Sequence, residues 1–289
     1  MTMNRIRIVT DSTVRFTTPG FLERNTVSIA PMTLRCQLEA WEESPHDEIV
    51  SLADLFHNCQ GFPLAEPPSM ERLAEIYGQL QATSDQIVSI HASSKLSPTV
   101  ANARAASQQF LGRCNIQVVD SQSLSVGLGL LVQAASEAVA AGKEFDEVVR
   151  IVRGMVPRLY LVLFVDDLMY LERSGLIARS QAVLGNMLGI IPFLTMEEGK
   201  LIPMEKVRSR PRALEKLVEF VGEFSDLEHL AILQSTPEMT DDSQQVAERL
   251  RAMHPDTPVS VTSYGPSVAT YIGLNSLGVV ALEREAGRP

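Results

Sequence analysis

One local pattern, met three times, restricts what this chain can become. An apolar strand ends in Asp, Ser or Thr and the chain then turns into a helix, at residues 10–13, 93–99 and 120–125. The fullest copy is IVSIHASSKLSPTVANAR, residues 87–104. It opens on the β-branched Ile87, Val88 and Ile90, breaks into Ser93, Ser94, Ser97 and Thr99, and continues after Pro98 in Ala-rich helix formers. Ser97 is expected as the N-cap and Pro98 as the first helical residue, where a missing N–H costs nothing. The first turn of a helix presents unpaired N–H groups and a partial positive charge, so added hydroxyl donors make it a receptor for a carboxylate or phosphate. Capping and turn satisfaction are the alternative use of the same hydroxyls. Strands alternating with helices imply a mostly parallel sheet, and such sheets bind ligands beyond the carboxyl ends of their strands. Three hydroxyl-bearing turns on one edge therefore point to an anion site.

At 289 residues the chain exceeds what one core usually fills. We expect two α/β domains: residues 1–156, a mostly parallel sheet flanked by helices that carries the hydroxyl-rich site, and 157–289, a mixed α+β domain. In the first, a short helix ends near Asn25, a β-rich run covers Val27 to Leu34, and Glu48 to Asn58 is a helix candidate before the Pro-rich FPLAEPPS. Ser69 opens a helix with Leu73, Ile76, Tyr77 and Leu80 at helical spacing. Leu124 to Ala141 is helical, stopped by Gly142, with Gly127 and Gly129 permitting close packing, and Phe145 to Gly154 is a further helix. The composition shifts after Pro157 to the strand LYLVLFV (159–165). Residues 182–194, AVLGNMLGIIPFL, are apolar on every side, so they are expected as a buried helix, either core or one wall of a cavity. A hairpin at Glu198–Gly199, a helix at 211–225, a strand at 230–233, a helix at 238–253 and strands PVSVTSY and GVVALE follow.

Several chemistries lack their residues. There is no GxSxG, so an enzyme using Ser94 or His91 is only the alternative from another class. His57 and Cys59 are the only close pair of metal-ligand type, Asp166–Asp167 fits helix capping, and no metal is expected. Neither GxxxxGK[ST] nor GxGxxG after a strand occurs, so no cofactor is expected. With 25 Lys+Arg against 35 Asp+Glu the net charge is −10, and no basic block or basic–aromatic stripe appears, so nucleic acid and anionic membrane surfaces are poor candidate partners. Cys36, Cys59 and Cys114 are odd in number and far apart, which suggests reduced thiols. The opening MTMNRIRIVTDST lacks the apolar core of a signal peptide, and the apolar segments are too short or interrupted to span a bilayer. A cytoplasmic monomer without stable membrane insertion is expected. What remains is a hydroxyl cradle beside an unusually apolar segment, which together suit a carboxylate with a long hydrocarbon tail.

At this point the sequence resembles the DegV family of bacterial fatty-acid-binding proteins. The residues that carry the resemblance are TDST (10–13), IAP (29–31), SSKLSPT (93–99), VVDSQSLSVGLG (118–129), VDDLMYLERSG (165–175), GNMLGIIPFL (185–194), EEGKLIPMEKVR (197–208) and YGPSVATYIG (264–273). Their order across the chain makes the resemblance specific. It implies two α/β domains with a fatty acid between them, the carboxylate held by hydroxyls and the tail buried in the C-terminal domain. Ser94 corresponds to the family's carboxylate-contacting serine; Ser93, Ser97, Thr10 and Ser12 lie on the same edge. Leu184, Met187, Leu188, Ile191 and Phe193 are the expected tail lining. Some members of the family present the bound acid to a fatty acid kinase, which forms an acyl phosphate.

The sequence also departs from the family pattern. Ala65–Glu66 stands where the family has Thr-Ser, which removes a second carboxylate ligand. Pro98 replaces a glycine, Leu176 an arginine (Arg179 is one turn away), and Tyr271 a histidine, while Arg208 is retained. Arg208, Arg179 and Tyr271 are thus expected at the head-group or partner end, and the losses count against a kinase partner. The reading is a non-enzymatic binder of a long-chain fatty acid.

Overall fold

The computed structural model describes residues 6–37, 39–46, 59 and 63–285. The helix expected at Glu48 to Asn58 lies outside the described residues. The chain forms two compact units, Met1–His46 with Leu64–Pro157, and Asp47–Pro63 with Arg158–Pro289.

The first unit holds β1 (Ile6–Asp11), β2 (Val27–Ala30), β3 (Thr33–Cys36), β4 (Glu39–Glu42), β5 (Leu64–Glu66), β6 (Gln86–His91) and β7 (Asn115–Asp120). Its main sheet runs β2-β1-β6-β7 with every pairing parallel, and β4-β3-β5 forms a small antiparallel sheet. Helices Met70–Gln81 and Thr99–Gln108 share a core with the sheet through Val9, Leu73, Tyr77, Ile87, Ala103 and Phe110. Full burial of Leu73 or Ile87 contributes about 1.5–3 kcal/mol each. Alternation sends Ile8 and Val88 to the opposite face. Helix Ser125–Ala140, buried on nearly all sides, also packs on β1 and β6. The expected cap at Ser69 is present: its Oγ accepts the Arg72 N–H at 3.1 Å. Gly142 ends helix Ser125–Ala140 region at φ 74°, as its position after the Ala-rich run suggests.

The second unit holds β8 (Leu159–Phe164), β9 (Ile191–Glu197), β10 (Lys200–Val207), β11 (Leu227–Gln234), β12 (Val259–Ser263) and β13 (Leu277–Glu283). The order is β10-β9-β8-β13-β11-β12, antiparallel except for β11–β12. Helices Arg210–Val221 and Asp241–Met253 cover one face, over Val162, Phe164, Phe193, Leu230 and Ile232. Leu161, Leu163, Leu233 and Val280 alternate with these and are buried too, so the sheet is apolar on both faces.

Three expectations need correction. Residues 182–194 are not one buried helix: helix Arg179–Met187 ends, Gly189 turns left-handed at φ 62°, and β9 begins at Ile191. The Gly189 turn lets Ile190 N–H bond back to the Gly185 carbonyl (2.9 Å), which closes the helix. That helix buries Ala182 and Gly185 and leaves Leu184 57%, Met187 79% and Leu188 53% exposed. Second, Pro98 is the N-cap rather than the first helical residue of Thr99–Gln108. Third, Cys36 and Cys59 are disulfide-bonded rather than reduced, and Cys114 is free.

Candidate functional site

Parallel pairing aligns the ends of β1, β6 and β7, with His91 opposite Asp120 and Val9 opposite Ser89. The three polar turns therefore leave the same sheet edge and bond to one another. In the central turn every backbone N–H from Ala92 to Thr99 is held. Ala92 donates to Asp11 Oδ2 (2.8 Å), Ser93 to the Ser123 carbonyl (2.9 Å), Ser94 to Asp120 Oδ1 (3.2 Å) and Lys95 to Ser93 Oγ (3.2 Å). Leu96 and Ser97 both donate to the Ser93 carbonyl (3.0 Å each), and Thr99 donates to Ser97 Oγ (3.3 Å). Pro98 has no N–H to place. The backbone donors from Ala92 to Thr99 are thus spent, and the turn leaves the side chains of Ser94 and Lys95 exposed.

The other hydroxyls on this edge are differently employed. Ser97 Oγ bonds Thr99 Oγ1 (2.7 Å), and both side chains are buried. Ser12 Oγ donates to the buried carboxylate of Glu43 (2.9 Å) and accepts the Met32 N–H (2.8 Å). Arg15 lies 3.7 Å from the same carboxylate. Thr10 is fully buried, and among the described residues its hydroxyl has no hydrogen-bond partner.

Behind the turn stands a buried polar chain that sequence inspection did not single out. Tyr77 OH bonds Ser89 Oγ (2.8 Å), Ser89 Oγ bonds His91 Nε2 (2.7 Å), and His91 Nδ1 bonds Asp11 Oδ2 (3.2 Å). None of the four side chains is exposed. Ser89 and His91 are two residues apart on one strand, so both face Tyr77 of helix Met70–Gln81. That spacing, with Asp11 closing an apolar strand, was the available signal. Burial alone would push the Asp11 carboxyl up, but His91, Thr13 and Ala92 hold it below its ordinary range. Burial pushes the Tyr77 hydroxyl up to about 12, against the pull of its bond to Ser89. The order Ser–His–Asp has the connectivity of a hydrolase triad, yet Ser89 is sealed from any substrate and bonded to Tyr77. His91 serves Ser89 and Asp11, not Ser94. Among the described residues no group of three or more His, Cys, Asp and Glu could hold a metal ion.

The departures from the family pattern also have places. Glu66 faces Arg35 across β3 and β5 in a bidentate pair (2.8 and 3.0 Å), which holds its carboxyl below the usual range. Its charge is compensated on the surface of the small sheet. Ala65 pairs with Leu34. In the second unit Arg179 and Arg208 are exposed, and Tyr271 is partly buried on helix Pro266–Ile272, where burial raises its hydroxyl. Asp167 caps helix Leu168–Arg173 through the Met169 N–H (2.9 Å), the role expected of it. Phe193 packs on Phe164 with ring centroids 5.9 Å apart, in the core under helix Arg210–Val221, and Ile191 packs against that core. Leu184, Met187 and Leu188 lie on the exposed side of helix Arg179–Met187.

The first unit thus brings together an exposed Ser94 at the edge of a parallel sheet and a fully buried Ser–His–Asp chain behind it. The chain belongs to the DegV family: the family model described as "Uncharacterised protein, DegV family" matches residues 5–284. A DegV domain-containing protein of Deinococcus radiodurans is 32% identical over 219 residues, spanning 76% of this chain and 77% of that one. One from Streptomyces coelicolor is 30% identical over 281 residues, spanning 96% and 99%. A solved structure of a DegV family protein from Thermus thermophilus, described for its fatty acid binding, superposes with a TM-score of 0.83 at 26% identity. It covers 97% of this chain and 100% of its own.

Proposed function

We propose that this chain binds a long-chain fatty acid without chemical turnover, the carboxylate held at Ser94 and the tail taken by apolar side chains. The observation that carries the reading is the Ser94 turn: a wired backbone at a parallel-sheet edge with one hydroxyl left outward. The fatty acid binding of the Thermus thermophilus protein, alike over nearly the whole chain, supports it. Ser93, Ser97, Thr10 and Ser12 support the turn in this reading, their hydroxyls being buried. Leu184, Met187 and Leu188 are exposed apolar side chains, whereas Ile191 and Phe193 belong to the core under helix Arg210–Val221. Arg179, Arg208 and Tyr271 form the partner end.

The energetics favour tail over head. Each buried methylene contributes about 0.8 kcal/mol, so a dozen supply on the order of 10 kcal/mol before ordering costs. One hydroxyl contributes about 1 kcal/mol. Ser94→Ala is therefore expected to weaken oleate binding about fivefold while leaving the fold intact. A cytoplasmic location belongs to the same reading: among the described residues no helix is long and apolar enough to cross a membrane. The disulfide bonding of Cys36 and Cys59 counts the other way, and cell fractionation tests the point.

The deciding experiment is native mass spectrometry of the purified protein, with extraction and identification of co-purified lipid. A bound long-chain fatty acid is the expected result. A ligand-free protein that also fails to take up oleate would overturn the reading.

A further inference from the structure

The central turn is held by two carboxylates at strand ends, Asp120 from β7 and Asp11 from β1. Asp120 Oδ1 accepts the N–H groups of Ser94 (3.2 Å) and Gln122 (3.0 Å) near the surface. Asp11 is fully buried and accepts on both oxygens. Oδ2 takes Ala92 N–H (2.8 Å) and His91 Nδ1–H (3.2 Å); Oδ1 takes the Thr13 N–H (3.2 Å) and the Thr13 hydroxyl. It therefore ties the start of the β6 turn to the start of the β1 turn, two residues from Ser94.

We propose that Asp11 and His91 are positioning residues for the head-group site, fixing through the Ala92 N–H the attitude in which the turn presents the Ser94 hydroxyl. The inference rests on the fatty-acid reading of that site. Its physical basis is a donor count. An ionised carboxylate is acceptor-only, and Asp11 meets four donors. His91 Nδ1 can approach a carboxylate only as a donor, which leaves Nε2 to bond Ser89 Oγ, and Ser89 in turn meets Tyr77 OH. The ring is thereby gripped at both nitrogens and holds Asp11 Oδ2 against the Ala92 N–H. An asparagine at position 11 cannot replace the carboxylate: whichever way its amide turns, an NH2 group faces two donors. At position 91, asparagine keeps an N–H near the Nδ1 position, whereas leucine keeps the bulk and removes the donor.

The test uses the full-length protein and oleate as the probe, with affinity from fluorescence competition and backbone amides followed in 1H–15N spectra. Asp11→Asn and His91→Leu are expected to weaken oleate binding about tenfold, and His91→Asn to stay within about threefold of wild type. In wild type and His91→Asn the Ala92 and Ser94 amide resonances should shift together on oleate addition; in His91→Leu they should not. Ile87→Val, a packing change on the same strand, controls for lost stability and should leave affinity unchanged. Should Asp11→Asn fail to fold, the two His91 variants decide the matter. Equal losses in His91→Asn and His91→Leu, or unchanged affinity in His91→Leu, would overturn the positioning role. Wild type that binds no oleate would instead defeat the fatty-acid reading, and the two failures are distinct.

Discussion

Asp11 sits fully buried with four donors around it, and its carboxyl is held below the ordinary value of 3.8. A depressed folded-state carboxyl contributes stability that is complete above the unfolded value and is lost as the pH falls toward the folded one. Wild type should therefore lose stability steeply below about pH 4, and Asp11→Asn, already lacking that contribution, should show a flatter acid limb in urea midpoints measured from pH 6 down to 3. An acid limb of unchanged slope would remove Asp11 as its source. Asp120 poses the opposite case. It places a negative charge beside Ser94, where an anionic head group is proposed to sit, and needs only its acceptor oxygen to hold the Ser94 and Gln122 N–H groups. Asp120→Asn keeps that oxygen and removes the charge. Oleate affinity should rise about threefold at low ionic strength, the gain shrinking as salt screens the repulsion. A loss of affinity would mean that the charge, not the acceptor, holds the turn.

Helix Ser125–Ala140 shows what the elements demand of single positions. A Cβ on Gly129 would lie 1.9 Å from the Arg15 carbonyl oxygen, and backbone cannot swing aside. Gly129→Ala should thus cost about 3 kcal/mol or more by forcing helix and turn apart. Gly154, within helix Phe145–Met155, meets nothing within 4 Å, so Gly154→Ala should add about 0.5–1 kcal/mol; urea denaturation of both variants checks the pair. The strand-to-helix turns after β6 and β7 and the cap at Ser69 were legible in the sequence, because each depends on residues near one another in the chain; the turn after β1 instead runs through residues 12–20 before the short helix Phe21–Arg24. That Gly129 permits close packing was legible too, but not that the neighbour is Arg15. The fate of residues 182–194 was not legible. Apolar composition there reads the same whether Gly189 closes a helix or Ile191 starts a strand, and only pairing with β8 and β10 decides. Likewise the partners of Ser12 and Glu66, namely Glu43 and Arg35, are each 31 residues away, and no local pattern announces them. His91 was visible as a residue, but its use depended on Tyr77 and Asp11 arriving from other elements.

At the scale of the whole molecule, charge and ligand pull in different directions. The net charge of −10 repels an anionic lipid at long range, while the proposed contacts at short range are mainly apolar. Long-range repulsion acts on encounter and is screened over about 10 Å at 0.1 M salt; burial of the tail acts on escape. Raising salt from about 0.05 to 0.5 M should therefore speed oleate association by about two- to fivefold and leave dissociation nearly unchanged. Stopped-flow measurements below the micellar concentration separate the two rates. Ser94→Ala should show the complementary pattern, with faster dissociation and unaltered salt dependence of association. Should association instead slow with salt, the exposed Arg179 and Arg208 would be drawing the carboxylate in against the net charge. Charge reversal at those two positions would then identify which arginine the head group meets first.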